Sequence, residues 1–275
     1  MSWSEFHHEA MATTFALHIA DQPEAYARQA AGAAWRELDR IEGELSRFVE
    51  TSDIARASRL APGQTIHIGE DATECLLVAA AAAVATGGAF DAAYASDRGE
   101  GPDSALPPFT LDPEAHTLTS HVPRLQLDLG AVGKGYALDR IAVVLRDWGA
   151  EAACVQSGGS TALALRRPPH RLGWPISLGD EPHTRILELE NSALSGSGIA
   201  IKGRHLIDPR TQLPATRTTR AWALAPSGAW SDALSTAFFV WPDAEIAAFC
   251  AEHLDVGAAT VAADGALELF GALRR

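Results

Sequence analysis

The sequence predicts an α+β fold. Three observations carry that expectation. Long segments place apolar residues at three- and four-residue spacing, short segments alternate apolar and polar residues, and the strands are partly clustered and partly separated by helices, too irregularly for a doubly wound sheet. In order, Ala12 to Ala20 alternates and reads as a strand. A helix beginning near Pro23 runs through Trp35, Leu38, Ile41 and Leu45. Ser52-Asp53 caps a short helix over Ile54 to Leu60. Gln64 to Ile68 is a strand, and Asp71 to Thr86 an alanine-rich helix stopped by Gly87-Gly88. Phe109 to Ser120 reads as a hairpin that turns at Asp112-Pro113. Arg98 to Pro108, rich in Gly and Pro, reads as a flexible excursion.

In the second half, Arg124 to Leu129 is expected as a strand, followed by a helix over Tyr136 to Trp148. Ala152 to Gln156 and Thr161 to Leu165 are strands flanking a Ser157-Gly158-Gly159-Ser160 turn. Arg185 to Ala225 reads mainly as strands and turns. Helices follow over Trp230 to Val240 and Asp243 to His253, then a hairpin marked by Asp264-Gly265. No linker or repeat divides the chain, so residues 1–275 are expected to form a single domain.

Composition narrows the function. Of 275 residues, 47% are hydrophobic and 21% charged, a globular balance. The net charge of −13 argues against nucleic acid, whose phosphates it repels. Cys75, Cys154 and Cys250 lie too far apart for a zinc motif and read as buried thiols in a reducing compartment. The N-terminal residues have neither the charged nor the apolar region of a secretory signal, and the longest apolar run, Val78 to Ala85, is too short to span a bilayer. The expectation is a soluble cytoplasmic protein with no membrane anchor.

Four short motifs bear chemistry-capable residues. Asp128 to Tyr136 (DLGAVGKGY) carries a strand into a turn with three glycines and then a helix; it suits either an anionic phosphate near Lys134 or an ordinary tight connection. It is no Walker A loop, because the spacing and the following hydroxyl are missing. In Ser231 to Thr236 (SDALST), Asp232, Ser235 and Thr236 share one helical face. That is a hard-oxygen set for Mg²⁺, or simply a helix cap. His205, leading Leu206-Ile207-Asp208-Pro209, is a general base or a structural hydrogen-bonder. Gly87 to Asp91 (GGAFD) passes from a helix stop to an aromatic and an acid.

The ordered series MATTF, LSRF…SDIARAS, GGAFDAA, LDLGAVGKGYALD, VQSGGS, SGS, HLIDPRTQLPA and SDALSTA resembles the ApbE family of FAD:protein FMN transferases, from about Met11 to beyond Thr236. The resemblance implies an ApbE-like mixed fold of two lobes with the flavin in the cleft between them. It implies Mg²⁺-dependent transfer of FMN from FAD to a threonine hydroxyl of an acceptor flavoprotein, with AMP leaving. Carried over by motif, Met11 flanks the flavin and Phe48 takes the aromatic position beside a ring of FAD. Ala89, Phe90, Asp91, Asp128, Lys134 and Leu206 contact FAD. Ala131 offers its carbonyl to the metal, Asp232, Ser235 and Thr236 complete the metal helix, and His205 assists deprotonation of the incoming hydroxyl. Asp232 thus counts as catalytic as well as metal-binding.

The chain departs from the family pattern in places. Neither the export signal nor the lipid anchor common there is expected from its N-terminal residues. Ala12 stands for a usual glycine, Ala92 for a usual proline, Lys134 where some members have an acid, and Ser58 near a frequent asparagine. Two further expectations therefore stand beside transfer: hydrolysis of FAD to FMN and AMP at the same site, and non-catalytic carriage of FAD.

Overall fold

The computed structural model describes residues 3–98, 107–179, 184–198, 207–262 and 264–274. Two strands open the chain, β1 (Ser4–Ala10) and β2 (Thr13–Ile19), and α1 (Glu24–Leu45) follows. Next come α2 (Asp53–Ala57), β3 (Thr65–His67), α3 (Glu70–Ala85), β4 (Phe109–Asp112) and β5 (Thr117–Ser120). The middle of the chain holds α4 (Gly133–Asp147), β6 (Ala153–Ser157), β7 (Thr161–Ala164), β8 (Trp174–Leu178), β9 (Arg185–Leu189) and β10 (Ser192–Gly198). After β11 (Ile207–Asp208), β12 (Leu213–Pro214) and β13 (Thr218–Ala225) come α5 (Gly228–Val240), α6 (Asp243–Glu252), β14 (Gly257–Ala262) and β15 (Leu267–Gly271).

The main sheet has eight strands in the order β1-β2-β6-β7-β10-β13-β14-β15, every neighbouring pair antiparallel. A mixed α+β architecture is therefore what the chain adopts. Alternation along each strand sends residues to opposite faces. Ala193 of β10 joins the core shared with α1, α4 and α5, whereas Leu194 joins a second cluster with Trp174, Ile176 and Leu178 of β8. The β8–β9 hairpin thus covers the face that the helices leave open. Leu38 and Ile41 of α1 are fully buried, as their spacing predicts, each contributing about 2 kcal/mol. A separate three-stranded sheet, β3-β5-β4, holds the hairpin read at Asp112, whose Oδ1 accepts from the Glu114 and Ala115 amides.

Three readings need correction. Arg124 to Leu129 is not a strand: Arg124 makes a single bridge to Asp97, and the following backbone donors are spent elsewhere. The Gln126 amide goes to Ser96 Oγ, that of Leu127 to Ser58 Oγ, and that of Asp128 to the Ala92 carbonyl. The helix after the glycine turn starts at Gly133, three residues earlier than expected, so that Gly135 is a helical residue. The capped helix α2 ends at Ala57 rather than Leu60, though Ser52 Oγ does cap it by accepting from the Ala55 amide at 3.0 Å. The excursion expected over Arg98 to Pro108 falls largely outside the described residues.

The β1–β2 turn explains one departure from the family pattern. Met11 and Ala12 both have positive φ, 49° and 57°, as a two-residue turn of this hand demands. Alanine tolerates that region poorly and glycine freely. Ala12→Gly is expected to stabilise the protein by roughly 1 kcal/mol. A urea unfolding midpoint that rises with an unchanged m-value would show it.

Candidate functional site

The site is built where α4 crosses α5. A β-carbon on Gly135 would lie 2.0 Å from the Gly228 carbonyl oxygen, and one on Gly228 would lie 2.4 Å from that of Gly135. Only glycine at both positions lets the two helix starts touch backbone to backbone. Asp139 of α4 fastens the contact, its two carboxylate oxygens accepting from the Gly228 and Ala229 amides at 2.7 and 2.9 Å. Those are amides that a helix start otherwise leaves without a partner.

That crossing places Asp232 against the glycine turn. Asp232 is 4% exposed; its Oδ2 accepts from the Gly135 amide at 3.1 Å and its Oδ1 from the Thr161 hydroxyl at 3.3 Å. In a regular helical turn the Gly135 amide would serve the carbonyl four residues back, that of Ala131. Here it serves Asp232 instead, and no hydrogen bond among the described residues ends on the Ala131 carbonyl. The diversion leaves the Ala131 carbonyl without a hydrogen bond among the described residues, one turn before the amide that a buried carboxylate accepts at the positive end of α4. Sequence reasoning paired Ala131 with Asp232 only through the resemblance; the geometry supplies a reason.

Hydroxyls surround that pair. Ser235 Oγ is fully buried and donates to the Asp232 carbonyl at 2.8 Å, so its proton turns back onto its own helix. Ser197 Oγ lies 2.8 Å from Ser235 Oγ and 3.2 Å from Thr236 Oγ1. The sequence reading gives Thr161 only as the start of a strand and Ser197 only as part of SGS, neither with a role. The signal for them was the strand alternation that turns both toward α5.

Of the remaining expected residues, Phe48 and Asp91 line two cavities. One, of about 290 Å³, is lined by Arg47, Phe48, Ser58, Arg59, Gln126 and Leu127. Phe48 is 82% exposed, with the Arg47 guanidinium 4.7 Å from its ring centre, and Arg47 also pairs with Asp128 at 3.4 Å. An exposed aromatic face beside an arginine suits a stacked planar ring. Asp128 Oδ1 in turn accepts from the Gly130 amide, and Lys134 Nζ donates to the Gly130 carbonyl at 2.7 Å. The second cavity, of about 320 Å³, is bordered by Gly88, Asp91, Tyr94, Arg98, Arg210 and Gln212. Ala89 and Phe90 pack into the core, which leaves Gly88 and Asp91 as the members of their motif facing the cavity, with Asp91 paired to Arg98 at 3.2 Å. Met11 packs against the core, and its amide donates to Glu42 Oε1 at 2.8 Å. His205 and Leu206 lie outside the described residues.

The electrostatics follow the same plan. Arg47, Arg59, Arg98 and Arg210 line the two cavities together with Glu50 and Asp91, and Arg47, Arg98 and Arg210 are paired with the carboxylates of Asp128, Asp91 and Asp208. Burial pushes the Asp139 carboxyl up to about 6, against the two amides that favour its ionised form. The folded chain therefore keeps a proton there that the unfolded chain loses between about 3.8 and 6. This contribution is fully present below pH 3.8, declines as pH rises, and is gone above 6, a change of at most about 3 kcal/mol. Asp139→Asn should flatten that part of a stability-against-pH profile measured by urea unfolding. Burial likewise pushes the Cys75 thiol up, with Asp232 adding to the effect, so Cys75 is held as a neutral thiol.

Among the described residues no three His, Cys, Asp or Glu side chains gather as a metal cluster. The Asp232 donor set is of another kind: one carboxylate, one carbonyl and hydroxyls. Such hard oxygens suit Mg²⁺, which takes one or two carboxylates and fills its shell with water and phosphate. No helix of the described residues is long and apolar enough to cross a membrane.

Comparisons with known proteins identify the family and the fold. A model described as the ApbE family matches residues 11–98 and 100–260. A protein of Treponema pallidum named FAD:protein FMN transferase is 31% identical over 147 residues, and one of Haemophilus influenzae with the same name is 28% identical over 147. These stretches cover 46% and 48% of the chain but only 40% and 42% of the relatives, so the matched part spans less than half of their length. The fold likeness extends further. The flavin transferase ApbE of Vibrio cholerae superposes with a TM-score of 0.82 at 19% identity, covering 98% of this chain and 96% of that one. The ApbE protein of Thermotoga maritima gives 0.81 at 22%, covering 98% and 97%.

Proposed function

The chain belongs to the ApbE family, and we propose that it transfers the FMN half of FAD to a threonine hydroxyl of an acceptor flavoprotein, releasing AMP, with Mg²⁺ as its cofactor. The observation that carries the reading is the diverted Gly135 amide, which gives Asp232 a partner and leaves the Ala131 carbonyl without one among the described residues. The printed names of the relatives, FAD:protein FMN transferase, support the reaction class. The proposal takes residues 1–275 as a single domain, with FAD lying in a cleft between two lobes.

In this reading Asp232, the Ala131 carbonyl and Thr236 hold the cation, with Ser235 in the role the family pattern gives it. When bound, Mg²⁺ supplies charge neutralisation at the pyrophosphate, where negative charge builds as the P–O bond to AMP breaks. The chain does the rest. Phe48 and Met11 flank the flavin. Asp91 and the backbone of Ala89 and Phe90 contact FAD in this reading, as does Asp128, and the family pattern gives Leu206 the same role. Lys134 and the cavity arginines offset the phosphate charge that a −13 chain would otherwise repel. The acceptor threonine oxygen bonds to the FMN phosphorus, its proton passes to His205, and AMP departs with the electrons of the broken P–O bond.

The test is incubation with FAD, Mg²⁺ and an acceptor bearing the modifiable threonine. Fluorescent flavin covalently held by the acceptor, with one AMP per adduct, is the expected result. AMP without adduct would make the protein an FAD pyrophosphatase; FAD bound with no AMP would make it a carrier.

A further inference from the structure

Ser195 carries an unexplained cost. Its side chain is fully buried on β10, and among the described residues its Oγ has no hydrogen-bond partner. A buried hydroxyl that has lost its water bonds and gained none destabilises the fold, so such groups are rare. Its surroundings are set by register. Ser195 stands directly opposite Thr161 of β7, and residues so paired share one face of the sheet. Thr161 is the residue whose hydroxyl donates to Asp232 Oδ1. Two positions along β10, Ser197 bonds Ser235 and Thr236; two positions back, Ala193 lies in the core beneath α5. Ser195 therefore occupies the middle of a row of hydroxyls whose ends already hold Asp232 and Thr236.

We propose that Ser195 is a positioning residue for the divalent cation, acting through Thr161. As the structure stands, its O–H makes no bond to Thr161 Oγ1; once the cation binds, the hydroxyl turns to donate there. That commits the Thr161 proton to Asp232 and fixes the carboxylate with its remaining lone pairs toward the cation. Full burial fits this role, since the hydroxyl needs to reach a cross-strand neighbour and neither solvent nor substrate. Outer partners of this sort orient the groups that touch a metal. The inference rests on the cation seat of the proposed function, and the test separates the two.

The measurement is Mn²⁺ binding by electron paramagnetic resonance, without FAD, set beside the melting temperature in chelator. Ser195→Ala removes an unpartnered buried hydroxyl, so the cation-free protein should melt at the same or a higher temperature. Mn²⁺ affinity should nonetheless fall about tenfold. In a Thr161→Val background, Ser195→Ala should change the affinity no further, because its route is already cut. Unchanged Mn²⁺ affinity in Ser195→Ala overturns the inference; so does an equal loss in the Thr161→Val background, or a lowered melting temperature in chelator. If Asp232→Asn binds Mn²⁺ as tightly as the parent, the cation seat itself falls. Loss in Asp232→Asn with no change in Ser195→Ala overturns only the role of Ser195.

Discussion

Asp232→Asn should fold normally and release AMP from FAD about 10³-fold more slowly than the parent at saturating Mg²⁺. The substitution keeps the shape of the side chain. An amide oxygen can still accept from the Gly135 N–H, and the amide nitrogen can donate to Thr161 Oγ1, so both contacts that hold residue 232 have a substitute. What disappears is the negative charge. A neutral amide at a helix N-terminus offers a divalent cation little, and the phosphates would face each other uncompensated. The measurement is a quantified AMP release assay alongside thermal unfolding. A variant that melts like the parent and turns over like the parent would remove Asp232 from the mechanism.

Gly135→Ala should cause the largest loss of stability of any single methyl addition in the site. Its β-carbon would sit 2.0 Å from the Gly228 carbonyl oxygen and 2.7 Å from the Ala229 nitrogen, both backbone atoms that no rotamer change can move. Relief requires α4 and α5 to separate, which also lengthens the Asp139 bonds to Gly228 and Ala229 and the Gly135 bond to Asp232. Overpacking of this kind costs about 3 kcal/mol or more. For a chain of this size that corresponds to a fall in melting temperature of roughly 6–12 °C. Activity should fall with it, even well below the melting temperature, because the separation draws Asp232 away from the Ala131 carbonyl. A Gly135→Ala protein that melts with the parent would show that the helices do not meet as described.

Much of this was legible in the sequence, and the exceptions have physical causes. The helical period of Trp35, Leu38, Ile41 and Leu45 gave α1 because one buried face dictates it. Gly87 and Gly88 marked the end of α3 because that stop needs positive φ, and both residues have it, at 55° and 79°. By contrast β1 left no apolar alternation to read: it is the edge strand of the main sheet and stays largely exposed. Arg124 to Leu129 looked like a strand because its leucines alternate, yet those leucines are buried by neighbouring loops while side chains and a loop carbonyl take the backbone bonds.

The site divides in the same way. Residues proposed to touch FAD or the cation sit in recognisable motifs, so Asp128, Asp91 and Asp232 could be named from the sequence. Residues that place them could not. Gly135 and Gly228 matter only because they meet each other, 93 positions apart, and Asp139 only because it bridges that meeting. Ser195 and Thr161 become partners through strand register, which one-dimensional spacing does not display.

The most direct measurement is an anomalous difference map from crystals of the protein soaked in Mn²⁺. A single strong peak within coordination distance of both the Asp232 carboxylate and the Ala131 carbonyl oxygen is the predicted result. Occupied Mn²⁺ sites elsewhere with nothing between those two groups would contradict the account at its centre.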